Sequence, residues 1–155
     1  MSFGSEHGRL RIDAALTPPG FIASAKMHTL IARDGFLYVL YSGPGPASRA
    51  DWSAVAECRR TRRNFLDDAA VKAVVKSYLP AISAYEDQIS DQNLEELAKA
   101  RNCCKLSKAV ISGMIAKPTA VDVRLSFKAE SKKYVFDCGL EDKDLVLELV
   151  ALFSR

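Results

Sequence analysis

The stretch Val121 to Lys128, VDVRLSFK, alternates apolar and polar side chains more cleanly than any other part of the chain. Its apolar members are Val121, Val123, Leu125 and Phe127. Because successive side chains of a β-strand point to opposite faces, this alternation predicts a strand with one face in the core and one in solvent.

The residues after this strand predict a second strand beside it. Ala129 to Lys132 reads as a turn, and Tyr134, Phe136 and Cys138 then share one face of the next run before Gly139 ends it. A hairpin is therefore expected here, and residues 105–138 as a whole are expected to form adjacent antiparallel strands.

A C-terminal helix is expected over about residues 141–153. Asp142 or Asp144 can cap its first turn. The apolar residues of this segment recur at helical spacing and predict a stripe that packs on the sheet. They are Leu145, Leu149, Leu152 and Phe153.

The first part of the chain also predicts strands, over about residues 9–41. Arg9 to Leu16 alternates in the manner of a half-buried strand. Lys26 to Ala32 and Phe36 to Tyr41 flank Arg33-Asp34-Gly35, and Asp-Gly favours the positive φ angles of a tight hairpin turn. The glycines and prolines from Tyr41 to Ser48 predict a loop after it.

Residues 51–100 change to a helical pattern, which predicts a helical insertion between the two groups of strands. Asp67-Asp68 marks the start of one helix, and Pro80 divides the apolar stripe that follows. Asp91-Gln92-Asn93 predicts the cap of a short helix that runs to Ala100.

These elements predict one α+β domain over residues 1–155, an antiparallel barrel or sandwich with a helical insertion and a C-terminal helix. The length of 155 residues is that of an ordinary single domain with its own core. The hydrophobic and charged fractions, 48% and 26%, are those of a globular protein.

Two parts of the chain resemble bacterial pleckstrin-homology-like (PH-like) domains. They are the hairpin over residues 26–41 and the segment 105–155, in which Lys132-Lys133-Tyr134-Val135-Phe136 precedes the last helix. The resemblance implies a barrel that this helix plugs, and a binding or assembly role without catalysis. Arg33 alone lies near the first hairpin turn, so phosphoinositide binding is not implied.

The run Arg59-Arg60-Thr61-Arg62-Arg63 carries the alternative function. Guanidinium groups bind phosphates in a bidentate manner, so these four arginines could bind nucleic acid or an anionic membrane surface. A solvated helix surface, paired locally with Asp67 and Asp68, explains the same pattern. The net charge of +3 does not by itself favour a polyanion.

A thiol-dependent enzyme around Cys103 and Cys104 is a third, less favoured hypothesis. The four cysteines are expected to be free thiols, because Cys103 and Cys104 are adjacent and no C-x-x-C pair is present. His28 stands in a predicted strand without a recognisable catalytic partner, so a structural role is expected for it. No metal site, cofactor or catalytic residue is predicted.

The N-terminal residues Met1 to Gly8 lack the basic start and apolar run of a secretory signal, and no apolar stretch is long enough for a membrane span. We therefore expect a cytoplasmic protein. Its expected partner is another protein or a second copy of the chain, bound through exposed sheet edges.

Overall fold

The computed structural model describes residues 3–6, 9–16, 26–44, 84–119, 122–139 and 142–154. The described strands are β1 (Phe3–Glu6), β2 (Arg9–Leu16), β3 (Lys26–Arg33), β4 (Phe36–Pro44), β5 (Cys104–Ser107), β6 (Ile111–Pro118), β7 (Asp122–Ala129) and β8 (Lys132–Gly139). The helices are α1 (Leu94–Ala98), α2 (Lys143–Phe153), a 3-10 turn at Lys108–Val110 and a helical turn at 84–87. An α+β fold with antiparallel strands is thus confirmed.

The described strands form one antiparallel sheet in the order β5-β4-β3-β2-β8-β7-β6, with β1 paired to the start of β2. The end of β2 joins the group β3, β4 and β5 to the group β6, β7 and β8, because Ala14 pairs with Cys138 and Leu16 with Phe136 of β8. β5 and β6 therefore lie at opposite ends of the strand order. The expectation that residues 105–138 form mutually adjacent strands is wrong for β5, which pairs with β4 instead.

The first hairpin agrees with the Asp-Gly prediction and extends beyond it. Asp34 and Gly35 have φ angles of 51° and 79°, the positive values that a tight two-residue hairpin turn requires. β4 continues past Tyr41, where a loop was expected, because Gly43 and Pro44 still pair with Met27 and Lys26. A register shift between Met27 and His28 accommodates this extension.

The second hairpin follows the predicted alternation. Val123, Leu125 and Phe127 of β7 are buried, and Phe136 lies opposite Leu125. The turn residues Glu130 and Ser131 have φ angles of 51° and 69°, although neither is a glycine. The pairing of the flanking strands holds this turn in a conformation that L-residues adopt at a cost.

One face of the sheet, here called the inner face, holds the main core. Side chains of both halves meet there, including Ile12, Leu30, Val39, Leu125 and Phe136, all at most 2% exposed. The rings of Phe127, Tyr134 and Phe136 stack along it, with centroids 5.0 to 6.1 Å apart. The two hairpins are thus joined by packing as well as by the β2–β8 pairing.

Helix α2 covers part of this inner face. Its buried residues are Val146, Leu149 and Phe153. Val146 was absent from the predicted stripe, whereas Leu152 was included in it and is 47% exposed. At 100° per residue Leu152 lies well away from Val146 around the helix, so the two cannot both face the sheet.

The opposite, outer face of β3, β4 and β5 is covered by residues of the helical segment. Ile31, Tyr38 and Leu40 form a second cluster there with Ile89 and Leu94. Asn93 is the N-cap residue of α1, but its side chain bonds other groups, accepting from the Ser90 amide at 2.8 Å and donating to the Gln88 carbonyl at 2.6 Å. The helical insertion therefore acts partly as a cover for the sheet.

Candidate binding site

The four arginines proposed to bind a polyanion, Arg59, Arg60, Arg62 and Arg63, lie outside the described residues. Cys58, Asp67, Asp68 and Pro80 lie outside them as well. The candidate surfaces that follow are built from other residues, which the sequence reasoning did not select.

Strand β6 presents the first such surface. It pairs with β7 on one side, and on its other side no pairing occurs among the described strands. Ile115, in the middle of β6, has 61% of its surface exposed, more than any other large apolar side chain described. An unpaired strand edge offers free backbone donors and acceptors to another chain.

Two features limit how regular this edge is. Gly113 has a φ of 63°, and the pairing with β7 shifts between Ser112 and Ile115, which is a bulge. Pro118 ends the strand and has no amide proton to donate. The regular part of the β6 edge is therefore short and includes Ile115.

The outward-facing side chains of β6, β7 and β8 form a second surface, here called the basic sheet face. Its cations are Lys117, Arg124, Lys128 and Lys133, and Asp137 of β8 lies opposite Arg124 on the same face. Lys117 lies opposite Arg124, and Lys128 lies opposite Lys133, so both cross-strand pairs carry like charges. The alternation in VDVRLSFK already assigns Arg124 and Lys128 to the solvent side. The signal that was missed is the hairpin register, which brings Lys133 beside Lys128.

The two adjacent cysteines do not form a common site, because their thiols lie on different faces of the sheet. Cys103 packs with the outer cluster, and its Sγ accepts a hydrogen bond from the Tyr41 amide at 3.2 Å. Cys104 packs against the inner core, with its Sγ 3.7 Å from the Tyr134 hydroxyl. The third described thiol, Cys138, is fully buried in that core.

The surroundings of Cys104 disfavour its thiolate form. Burial raises the pKa of Cys104, although the contact with Tyr134 opposes that shift. Burial, and then the neighbouring thiol Cys103, raises the pKa of Tyr85 to about 12. Reactive cysteines have a lowered pKa, so this geometry gives no support to the thiol-dependent enzyme.

His28 lies in the sheet rather than in a cleft. It is 2% exposed, its Nδ1 is 3.0 Å from the Lys26 carbonyl, and its ring contacts those of Tyr41 and Phe136 edge-on, with centroids 5.7 Å away in each case. Burial lowers the pKa of His28, opposed by backbone hydrogen bonds with Lys26 and Asn102. The ring links β3 to the residues that precede β5.

A polar network lies where α1 crosses β4 and β5. One oxygen of Glu95, Oε1, accepts hydrogen bonds from the Tyr38 hydroxyl and the Lys105 ammonium, each at 2.7 Å. Lys105 also lies over the Phe36 ring, 4.1 Å from its centroid. These contacts orient α1 on the outer face of the sheet.

Among the described residues, no three His, Cys, Asp or Glu side chains come together as a group that could hold a metal ion. Within the same part of the chain, no helix is both long and apolar enough to cross a membrane. Comparison with protein-family models, with curated proteins and with solved structures finds no match.

Proposed function

We propose that the protein is a non-catalytic binding or assembly module of the PH-like kind. The order of its elements supports this proposal. A first hairpin, a later hairpin that carries Lys132 and Lys133, and a C-terminal helix packed on the inner face follow one another as the resemblance implies. β5 and β6 lie at the two ends of the strand order, and among the described strands each is paired on one side only, which leaves backbone groups there for a partner.

The observation that carries the proposal is Ile115 on the β6 edge. Most symmetric pairs of identical chains are related by a two-fold axis, which brings the same patch of each copy together. A contact centred on Ile115 would place this apolar side chain against its own counterpart. A second copy of the chain is therefore the partner that this edge fits, and the bulge at Gly113 keeps the paired segment short.

Sedimentation equilibrium over a series of protein concentrations tests this assembly. We expect the wild-type chain to show a reversible monomer–dimer equilibrium. Ile115→Lys should shift it to monomer, because the substitution places two ammonium groups together at the two-fold axis. Leu152→Lys is the matched control, since Leu152 is also apolar and 47% exposed but lies on α2.

Circular dichroism and thermal unfolding of both variants would show that the fold is kept. A wild-type chain that stays monomeric at the highest concentration would contradict assembly through β6. Equal loss of the dimer in both variants would place the contact on another surface.

A further inference from the structure

The basic sheet face carries positive charge that the described side chains leave largely uncompensated. Lys117, Lys128 and Lys133 are exposed, and none forms an ion pair with a described residue. Arg124 is different, because its Nε lies 3.4 Å from Oδ1 of Asp137. Like charges directly opposite one another in a sheet are destabilising, so an anionic partner would stabilise both pairs.

The two like-charged pairs stand apart, with uncharged residues between them. Arg124 and Lys128 are separated by four residues along β7, which corresponds to about 13 Å in a strand. Ile115, Ser126 and Val135 form the row between the pairs, since Ser126 lies opposite both of the others. The face is thus basic at both ends, with an apolar centre made by Ile115 and the half-buried Val135.

We propose that the basic sheet face binds an acidic, amphipathic segment of another protein. Such a segment would place carboxylates against the two cationic pairs and an apolar side chain against Val135 and Ile115. The charge complementarity, together with the apolar centre, identifies this occupant. Carboxylate groups two helical turns apart on one face of a helix are separated by about 11 Å, which the long, flexible side chains of the two pairs can reach.

Nucleic acid fits this face less well. Proteins that bind single strands stack bases on aromatic side chains, and the outward-facing side chains described on β6, β7 and β8 include none. A phosphate backbone also offers no apolar group to the row between the cations. Lysine is a point charge and binds a carboxylate as readily as a phosphate. The lysines therefore do not by themselves favour nucleic acid.

The probe is a fluorescein-labelled helical peptide with Glu pairs two turns apart and Leu between them. Fluorescence anisotropy measures its binding to the full chain at low and at physiological salt. The test variant replaces Lys117, Lys128 and Lys133 with Gln. The control variant replaces Lys26, Lys99 and Lys143 with Gln, which removes the same charge from exposed positions elsewhere.

We expect the peptide to bind the wild-type chain, with an affinity that falls as salt rises. The test variant should weaken binding at least about tenfold, and the control variant by less than about threefold. A peptide with Gln in place of Glu should not bind, and one with Ser in place of Leu should bind less tightly.

Three outcomes would overturn the inference. The first is no binding to the wild-type chain at low salt, and the second is equal loss in the test and control variants. The third is tighter binding of random-sequence duplex DNA, or of phosphatidylserine vesicles, to the same face. The peptide and a second copy of the chain both contact Ile115, so the lysines distinguish the two proposals: the test variant should lose the peptide but keep the self-association measured by sedimentation. A peptide that binds a wild-type chain that stays monomeric would contradict the assembly proposal alone.

Discussion

His28 is a buried histidine whose surroundings favour its neutral form. Burial is the largest influence and lowers its pKa, and the positive charges of Lys26 and Lys132 act in the same direction. Only backbone hydrogen bonds, to Lys26 and Asn102, oppose the shift. The neutral ring carries one proton, so only one of its nitrogens can donate at a time.

This burial predicts a pH dependence of stability. The unfolded chain protonates His28 near its ordinary pKa of 6.5, whereas the folded protein protonates it only at lower pH. The unfolded state therefore binds more protons as the pH falls below about 6.5, and the free energy of unfolding decreases in that range. Above that range the contribution of the neutral ring is fully present.

Urea unfolding of the wild-type chain and of His28→Gln, each at about pH 7.5 and about pH 5, measures this effect. The wild-type chain should lose more stability between the two values than the variant, which carries no titratable group at this position. His7 and the carboxylates are the same in both chains, so they cancel in the comparison. An equal pH dependence would show that His28 is protonated with similar ease in the folded state.

At the scale of elements, the stability of helix α2 depends on the face that it buries against the sheet. Leu149 is 1% exposed and packs in the inner cluster with Val146 and Phe153. Leu147 is on the same helix but is 43% exposed. Tertiary packing rather than intrinsic propensity stabilises a helix of this length, so the buried face should dominate.

Truncating each of these two leucines to alanine distinguishes the stability that comes from packing on the sheet from the stability that comes from helix propensity. Leu149→Ala should lower the free energy of unfolding by about 2–5 kcal/mol, because it removes buried methyl groups and leaves a cavity. Leu147→Ala should change it by less than about 0.5 kcal/mol. Chemical denaturation measures both. A similar small loss in the two variants would mean that α2 does not rest on the sheet.

The two hairpin turns differ in what determines their backbone conformation, the turn residues themselves or the pairing of the flanking strands. Asp34-Gly35 is a sequence that adopts its turn readily, and there the prediction was correct. Glu130-Ser131 is placed in the same kind of turn by the pairing of β7 with β8 on either side. The alternation of the strands predicted this second hairpin, although its turn residues do not favour positive φ.

At the scale of the whole molecule, the charge is modest overall but unevenly placed. The net charge is +3, yet the basic sheet face brings four cations together, of which Arg124 pairs with the carboxylate of Asp137. The arginine cluster at residues 59–63 is a second concentration of charge. Binding of an anionic partner at either site would depend on local rather than net charge.

A four-fold substitution tests the arginine cluster separately. Arg59, Arg60, Arg62 and Arg63 are replaced with Gln, and binding of random-sequence duplex DNA is measured over a range of salt. We expect weak binding at physiological salt that differs little between the two chains, because the net charge of the chain is only +3. A submicromolar affinity that falls steeply with salt and is lost in the variant would favour the polyanion alternative.

The sequence by itself determined the strands with strict alternation, the Asp-Gly turn and the existence of α2, because these depend on periodicity and on local backbone preferences. It also assigned the buried face of β7, from Val123 to Phe127. Local pattern was less reliable for α2, where Leu152 was expected inside and Val146 was not.

Only the tertiary structure decided which strands are neighbours. The pairing of β5 with β4 and the joining of β2 to β8 connect residues far apart in the chain, and no local signal encodes such contacts. They also place β6 at one end of the order of described strands. The candidate surfaces have the same origin. Lys117 and Lys133 come beside Arg124 and Lys128 through the register of three strands, because hydrogen bonding between strands, rather than spacing along the chain, places their charges together.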